Sequence, residues 1–450
     1  MATRRFVRLR RFAGTVPVSV AVFLTAAVPP TASAQAAPPG AAVGPAVPAV
    51  ALGRAYADPQ GVSFDAGKLR VTLDATHEAG MHGLYSAVRH DDDAWSGASG
   101  VADVRTRRPV RPDMEHRVGS ITKTFTATAV LQLVEQGRLQ LDAPVAQFLP
   151  GTVPGERGQQ VTVRMLLNHT SGIADYVVSA FPSLRRLSPE SLDRSRFRTV
   201  RPEQIIAWGL EAPPTNAPGA AWSYSNTNYI ILGKLLEKVS GVKAETYIQR
   251  NVIRPAGLKH TYFPNRATIS GPHSRMYESL YGHAQPLREY SVYNMSWAGT
   301  AGALVSTMDD LNAFYRALLT GKLIGRGGLT EMQRTVPVQD GNGNTLMNYG
   351  LGLYSLELPC GTFWGHDGAV FGGGTQALSS VDGRRQVALG LNLTKYQQLN
   401  GQGVPMPHAI DNALGAHFVQ ALCGGQGPLA TQTPGTSAKP PLPLRFVIRP

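Results

Sequence analysis

Cysteine is nearly absent from this chain: two occur in 450 residues, Cys360 and Cys423, and neither sits in a CxxC. That spacing excludes dithiol redox and zinc-ribbon chemistry. No HExxH, no GxSxG and no phosphate loop of the Walker or GxGxxG kind occurs, so zincins, α/β-hydrolases and nucleotide-binding enzymes lack their signatures. The sequence shows no metal cluster and calls for no cofactor. Charge is thin at 16% of residues, and acids are the scarcer sign, with 30 against 43 basic residues. The resulting net charge of +13 falls to +8 once five N-terminal arginines are set aside.

Those five, Arg4, Arg5, Arg8, Arg10 and Arg11, precede an apolar run from Ala13 to Val28 that closes on Ala32-Ser33-Ala34. A basic start, an apolar middle and a small-residue end make residues 1–34 a secretory signal peptide cleaved after Ala34. Pro17 and Pro29 keep the run well short of the ~20 residues a membrane span needs, so the mature form is expected to be secreted, with no span. In an exported protein the isolated pair Cys360 and Cys423 reads as a disulfide. The remaining positive charge is dispersed. Its densest stretch, Arg105 to Arg111 with Arg185, Arg186, Arg194, Arg196 and Arg198, lacks interleaved aromatics and reads as solvated surface rather than a nucleic-acid site.

Residues 35–60 form an Ala/Pro-rich lead-in, and residues 425–450 are expected to be a disordered tail. Between them, residues 61–424 read as one catalytic domain, without repeats or linkers. Strands are expected near 83–88 and 97–103, and again over 351–356, 361–364, 374–380 and 386–391. Helices are expected over 121–136, 163–168, 229–240 and 307–319, with a last one from His408 to Ala421. Strands at both ends with helices between give an α/β chain of the α+β type: an antiparallel sheet flanked by helices, with an all-helical subdomain.

Ser120 stands at the entrance of a helix that is apolar on most sides, and Lys123 follows at a spacing of three, on the same face. A lysine held there loses hydration, which lowers its pKa and frees an amine to take the serine proton. Tyr224-Ser225-Asn226 supplies a phenol able to exist as phenolate or to pass a proton, and an amide able to hold a substrate carbonyl. His366-Asp367-Gly368 follows, and the glycine run 372–374 after it would let a strand edge present backbone N–H groups to an oxyanion. His169 reads as a structural residue at a helix end, while Trp297 fits either a cleft wall or the core.

In this order the motifs resemble the serine β-lactamases and penicillin-binding D-alanyl-D-alanine peptidases, most closely the soluble secreted DD-carboxypeptidases, which are similar to class C β-lactamases. The likeness spans residues 61–424, through GSITKTF (119–125), LLNHTSGI (166–173), YSNTNY (224–229), SWAGTAG (296–302) and WGHDG (364–368). It implies Ser120 as acylated nucleophile, Lys123 and Tyr224 as its proton carriers, and Asn226, His366, Asp367 and Gly368 as substrate-binding residues. An oxyanion hole from the N–H groups of Ser120 and Ala369, and a Cys360–Cys423 disulfide, are implied with them. Expected partners are peptidoglycan stem peptides or other D-amino-acid peptides and esters, with β-lactams as acylating ligands.

One departure bears on specificity. Carboxypeptidases of this kind carry threonine where Asp367 and Ala369 stand, and they use an arginine that YSLELP (354–359) lacks. Asp367 either points at substrate, repelling a carboxylate, or turns away to fix a neighbouring turn. An esterase, a D-aminopeptidase or a β-lactamase would share the mechanism. A non-catalytic cell-wall or penicillin-binding module would share only the fold.

Overall fold

The computed structural model describes residues 64–340 and 343–424, so the expected signal peptide, lead-in and tail lie outside the described residues. Its centre is a nine-stranded sheet. We number the strands β1 (Gly83–His90), β2 (Asp93–Asp103), β3 (Arg108–Pro109), β4 (Val336–Gln339), β5 (Thr345–Tyr349), β6 (Tyr354–Leu358), β7 (Gly361–Val370), β8 (Gly373–Ser380) and β9 (Arg385–Leu391). They run in the order β3-β2-β1-β9-β8-β7-β6-β5-β4, each pair antiparallel. The N-terminal strands are thus joined to the C-terminal ones by the pairing of β1 with β9, Leu84 opposite Leu391.

Helices cover both faces. On one side α1 (Ala66–Glu78) and the final helix, Ala409–Cys423, bury Leu69, Leu73, Ile410, Leu414 and Phe418 against Leu84, Val88, Phe363 and Leu389. On the other, α2 (Thr122–Glu135) is buried almost all round, as its apolar content demands. Its buried threonines are each satisfied: Thr124 donates to the Gly352 carbonyl at 2.7 Å and Thr126 to that of Thr300 at 2.8 Å. Phe125 stacks on Phe314 of the helix Met308–Leu319, with ring centroids 3.6 Å apart. Between residues 140 and 300 the chain is mostly helical and irregular, with two short paired strands at Tyr277–Glu278 and Arg288–Glu289, and its longest element there is α3 (Asn226–Ser240), ended by Gly241 at φ +77°.

The architecture is the antiparallel sheet flanked by helices that the sequence implies. The details differ in several places. The helix α1 and the strands β4 and β5 have no counterpart in the sequence reading. The strand expected from Leu351 begins instead at Tyr354, because Leu351 donates its N–H to the Met332 carbonyl outside the sheet. The strand expected to stop at Trp364 runs on to Val370, carrying His366 and Asp367 within it. As the sequence reading expected, Cys360 and Cys423 form a disulfide, which ties the start of β7 to the last helix.

Candidate active site

Ser120 lies in a short 3₁₀ turn, Gly119–Ile121, that feeds α2. The turn is possible only with glycine at 119, whose φ is +53° and whose missing Cβ would stand 2.6 Å from the Ala369 nitrogen. Gly368 answers it from the strand, since a Cβ there would meet the Val118 carbonyl oxygen at 1.9 Å and the Ser120 nitrogen at 2.9 Å. Two bare backbones therefore touch where the nucleophile candidate sits. β6 pairs with β7 only as far as Tyr354 opposite Gly365, so the outer edge of β7 beyond that point faces the Ser120 turn instead of another strand. The glycine run 372–374 does not take this place. Gly372 lies in the turn from β7 into β8, packed on the Met276 backbone, and Gly373 and Gly374 open β8.

Lys123 has no exposed surface. Its Nζ reaches Ser120 Oγ at 2.9 Å, Asn226 Oδ1 at 2.7 Å and the Ala301 carbonyl at 2.8 Å, with the Tyr224 and Tyr229 rings 4.8 and 5.5 Å away. Burial brings its pKa down to about 7, against the opposing fields of Asp175 and Asp367. Near neutral pH the neutral amine is therefore populated. Asn226 Oδ1 and the Ala301 carbonyl can only accept, so they take its two N–H bonds and leave its lone pair for the Ser120 hydroxyl.

The Tyr224 hydroxyl donates to Ser120 Oγ at 2.6 Å. Burial pushes its pKa well up, so it is a neutral phenol rather than the phenolate that the sequence left open. The His169 ring lies 4.4 Å behind it, at a residue held at φ +61° just past the helix Val163–Leu167. That is the helix-end position expected of His169, with a contact to Tyr224 that the sequence did not announce.

Asp175 is the other residue missed. It accepts from the backbone N–H of Asn226 at 2.8 Å, from Asn226 Nδ2 at 2.6 Å and from the Val177 N–H at 2.8 Å. An acid shortly after HTSGI carries no pattern by itself.

The third motif divides into a buried and an open half. His366 is 2% exposed; its Nδ1–H donates to the Asp367 carbonyl and its Nε2 accepts from Tyr349 Oη at 2.9 Å. Burial lowers its pKa to about 3, so it is a neutral ring beneath the site and offers substrate neither a charge nor a free nitrogen. Asp367 keeps 22% of its side chain exposed, and its field is felt at Lys123, Tyr224, Tyr349 and Tyr354. Trp297 is 8% exposed and packs against Phe181 and Phe371, which gives it the core role. Among the described residues no group of acids, histidines or cysteines is placed to hold a metal, and no helix is long and apolar enough to cross a membrane.

A serine hydroxyl shared by a buried lysine and a tyrosine, pressed against an open strand edge, defines a serine hydrolase. Residues 69–414 match the family model described as Beta-lactamase, and the chain belongs to the beta-lactamase family. A penicillin-binding protein of Bacillus subtilis (strain 168) is 27% identical over 398 residues, covering 80% of this chain and 83% of that one. Esterase EstB of Burkholderia gladioli is 33% identical over 220 residues, 46% of this chain and 55% of its own. Among solved structures, a D-stereospecific amidohydrolase from Streptomyces sp. superposes with a TM-score of 0.68 at 38% identity, covering 74% of this chain and 95% of that one.

Proposed function

We propose that this protein is a D-stereospecific amidohydrolase that cleaves amides, and the corresponding peptides or esters, of D-amino acids with a free α-ammonium. Ser120 is the nucleophile and Lys123 the base that takes its proton. Tyr224 hands a proton to the leaving amine, and the N–H groups of Ser120 and Ala369 hold the developing oxyanion. Asn226 orients Lys123 and the substrate carbonyl, and water then releases the acyl group.

The observation that carries the substrate class is Asp367. The charges acting on Lys123 are two carboxylates, Asp175 and Asp367, while His366 is neutral. A partly buried carboxylate attracts a substrate ammonium and opposes a substrate carboxylate, more strongly than it would in bulk water. That favours an aminoacyl donor over a peptide ending in D-Ala. The 38% identity to a D-stereospecific amidohydrolase supports the same side of the choice. DD-carboxypeptidase action on peptidoglycan stems draws support from the penicillin-binding relative and is the second reading. Export by residues 1–34 accords with a disulfide, which belongs to oxidising compartments.

The test is hydrolysis of D-phenylalanine amide beside L-phenylalanine amide, N-acetyl-D-phenylalanine amide and diacetyl-L-Lys-D-Ala-D-Ala, with a Ser120→Ala control. Turnover of the first alone, abolished in the control, supports the proposal. Preference for the acylated amide or for the D-Ala-D-Ala peptide sinks the assignment of Asp367 and promotes the carboxypeptidase.

A further inference from the structure

An asparagine amide has two ends of equal size and opposite hydrogen-bonding character. Turned one way, Asn226 offers an oxygen to Lys123; turned the other, it would set N–H against N–H. Asp175 breaks the tie. Its Oδ2 accepts from both Asn226 N and Asn226 Nδ2, at 2.8 and 2.6 Å, while the Val177 N–H occupies Oδ1 at 2.8 Å. All three partners are N–H donors, the set that suits a carboxylate. With Nδ2 held there, Oδ1 has to face Lys123 Nζ, which it does at 2.7 Å.

The segment bearing Asp175 is itself fixed to the start of α3, because the neighbouring Ala174 carbonyl accepts from Ser225 Oγ at 3.1 Å and Thr227 Oγ1 at 2.6 Å. The carboxylate is thus held on both sides of the asparagine it grips.

We propose that Asp175 is a positioning residue for acylation, locking the Asn226 amide so that the lone pair of Lys123 stays aimed at Ser120. It touches neither substrate nor nucleophile and acts through Asn226. The proposal rests on the reading of Lys123 as the base. Its charge acts on Lys123 together with Asp367, amid the neutral rings of Tyr224, Tyr229 and His366; Tyr176 and Tyr224 are the further titratable groups near Asp175.

The experiment is a double-variant cycle on the full chain with p-nitrophenyl acetate, a neutral ester whose use does not depend on D-specificity. Asp175→Asn is expected to lower kcat about a hundredfold with KM little changed. Because Asp175 works through Asn226, the double variant Asp175→Asn/Asn226→Ala should be no slower than Asn226→Ala alone. Loss of one negative neighbour should also move the acid limb of kcat/KM to lower pH, which a merely structural role would not do. Multiplying losses, an unmoved limb, or Asp175→Asn within threefold of wild type overturns the proposal. If Asp175→Asn does not fold, Asp175→Ser is put through the same cycle under the same criteria. Lys123→Ala is run in parallel: wild-type acylation there removes the base assignment and the proposal with it, whereas a silent Lys123→Ala beside an unaffected Asp175→Asn removes Asp175 alone.

Discussion

The imidazole of His169 lies 4.4 Å from the ring of Tyr224, centroid to centroid, and its Nδ1 accepts the Ser225 N–H at 3.2 Å. One ring thus backs the phenol and pins the backbone after it. His169→Asn keeps a residue that tolerates the +61° φ but removes the wall, so Tyr224 should lose its fixed distance to Ser120. Acylation should slow by about 10- to 100-fold with KM little changed, read from ester burst kinetics. A variant of normal rate would mean that Tyr224 is held from elsewhere.

The pH profile follows from Lys123. In the proposed mechanism its neutral form is the base, and burial sets its pKa at about 7, so kcat/KM for a neutral ester should fall below pH 7 and level off above. Asp367 holds this pKa up. Asp367→Asn should therefore shift the bend to lower pH, while the same change weakens binding of aminoacyl amides and relieves repulsion of carboxylates. A bend that stays put or rises would show that the charge of Asp367 does not reach Lys123.

Gly368→Ala places a Cβ where the Val118 carbonyl and the Ser120 nitrogen already stand. Neither neighbour is a flexible side-chain end, so β7 must move off the Ser120 turn. The expected result is a drop of more than about a hundredfold in kcat, since displacing an oxyanion donor alone costs that much. Near-UV circular dichroism on the same sample separates a displaced strand from an unfolded one.

The disulfide closes a loop of 63 residues, and the loop-entropy model gives it about 4 kcal/mol. Replacing both cysteines by serine should lower the unfolding midpoint. Acylation by the same ester should stay within twofold, because Cys360 precedes the far end of β7, roughly 26 Å of strand from Gly368. A large kinetic loss would mean that the clamp reaches along the strand to the site.

What the sequence disclosed, and what it hid, divides along physical lines. Ser120 and Lys123 were legible because helical spacing alone puts them on one face, and Tyr224 and Asn226 because they open a glycine-ended helix. The sheet was legible wherever glycine and acidic turns punctuate it. Helix α1 was not, since only Leu69, Leu73 and Thr76 are buried in it, too thin a stripe to stand out among its charges. Strands β4 and β5 are short and half-exposed, with little alternation to announce them. The Ala301 carbonyl that takes a Lys123 proton is backbone and has no letter. Asp175 and His169 act through contacts about fifty residues away in the chain, which spacing does not encode.

The partnership of β1 with β9 sets a timetable for the molecule. Leu84 finds its strand mate only at Leu391, roughly 300 residues later, so the sheet cannot close until nearly all of the domain has been synthesised. The four contributors to the site, near 120, 224, 301 and 369, are scattered across the same interval. A half-made chain therefore has neither a closed sheet nor an assembled nucleophile, and hydrolytic power arrives late and all at once.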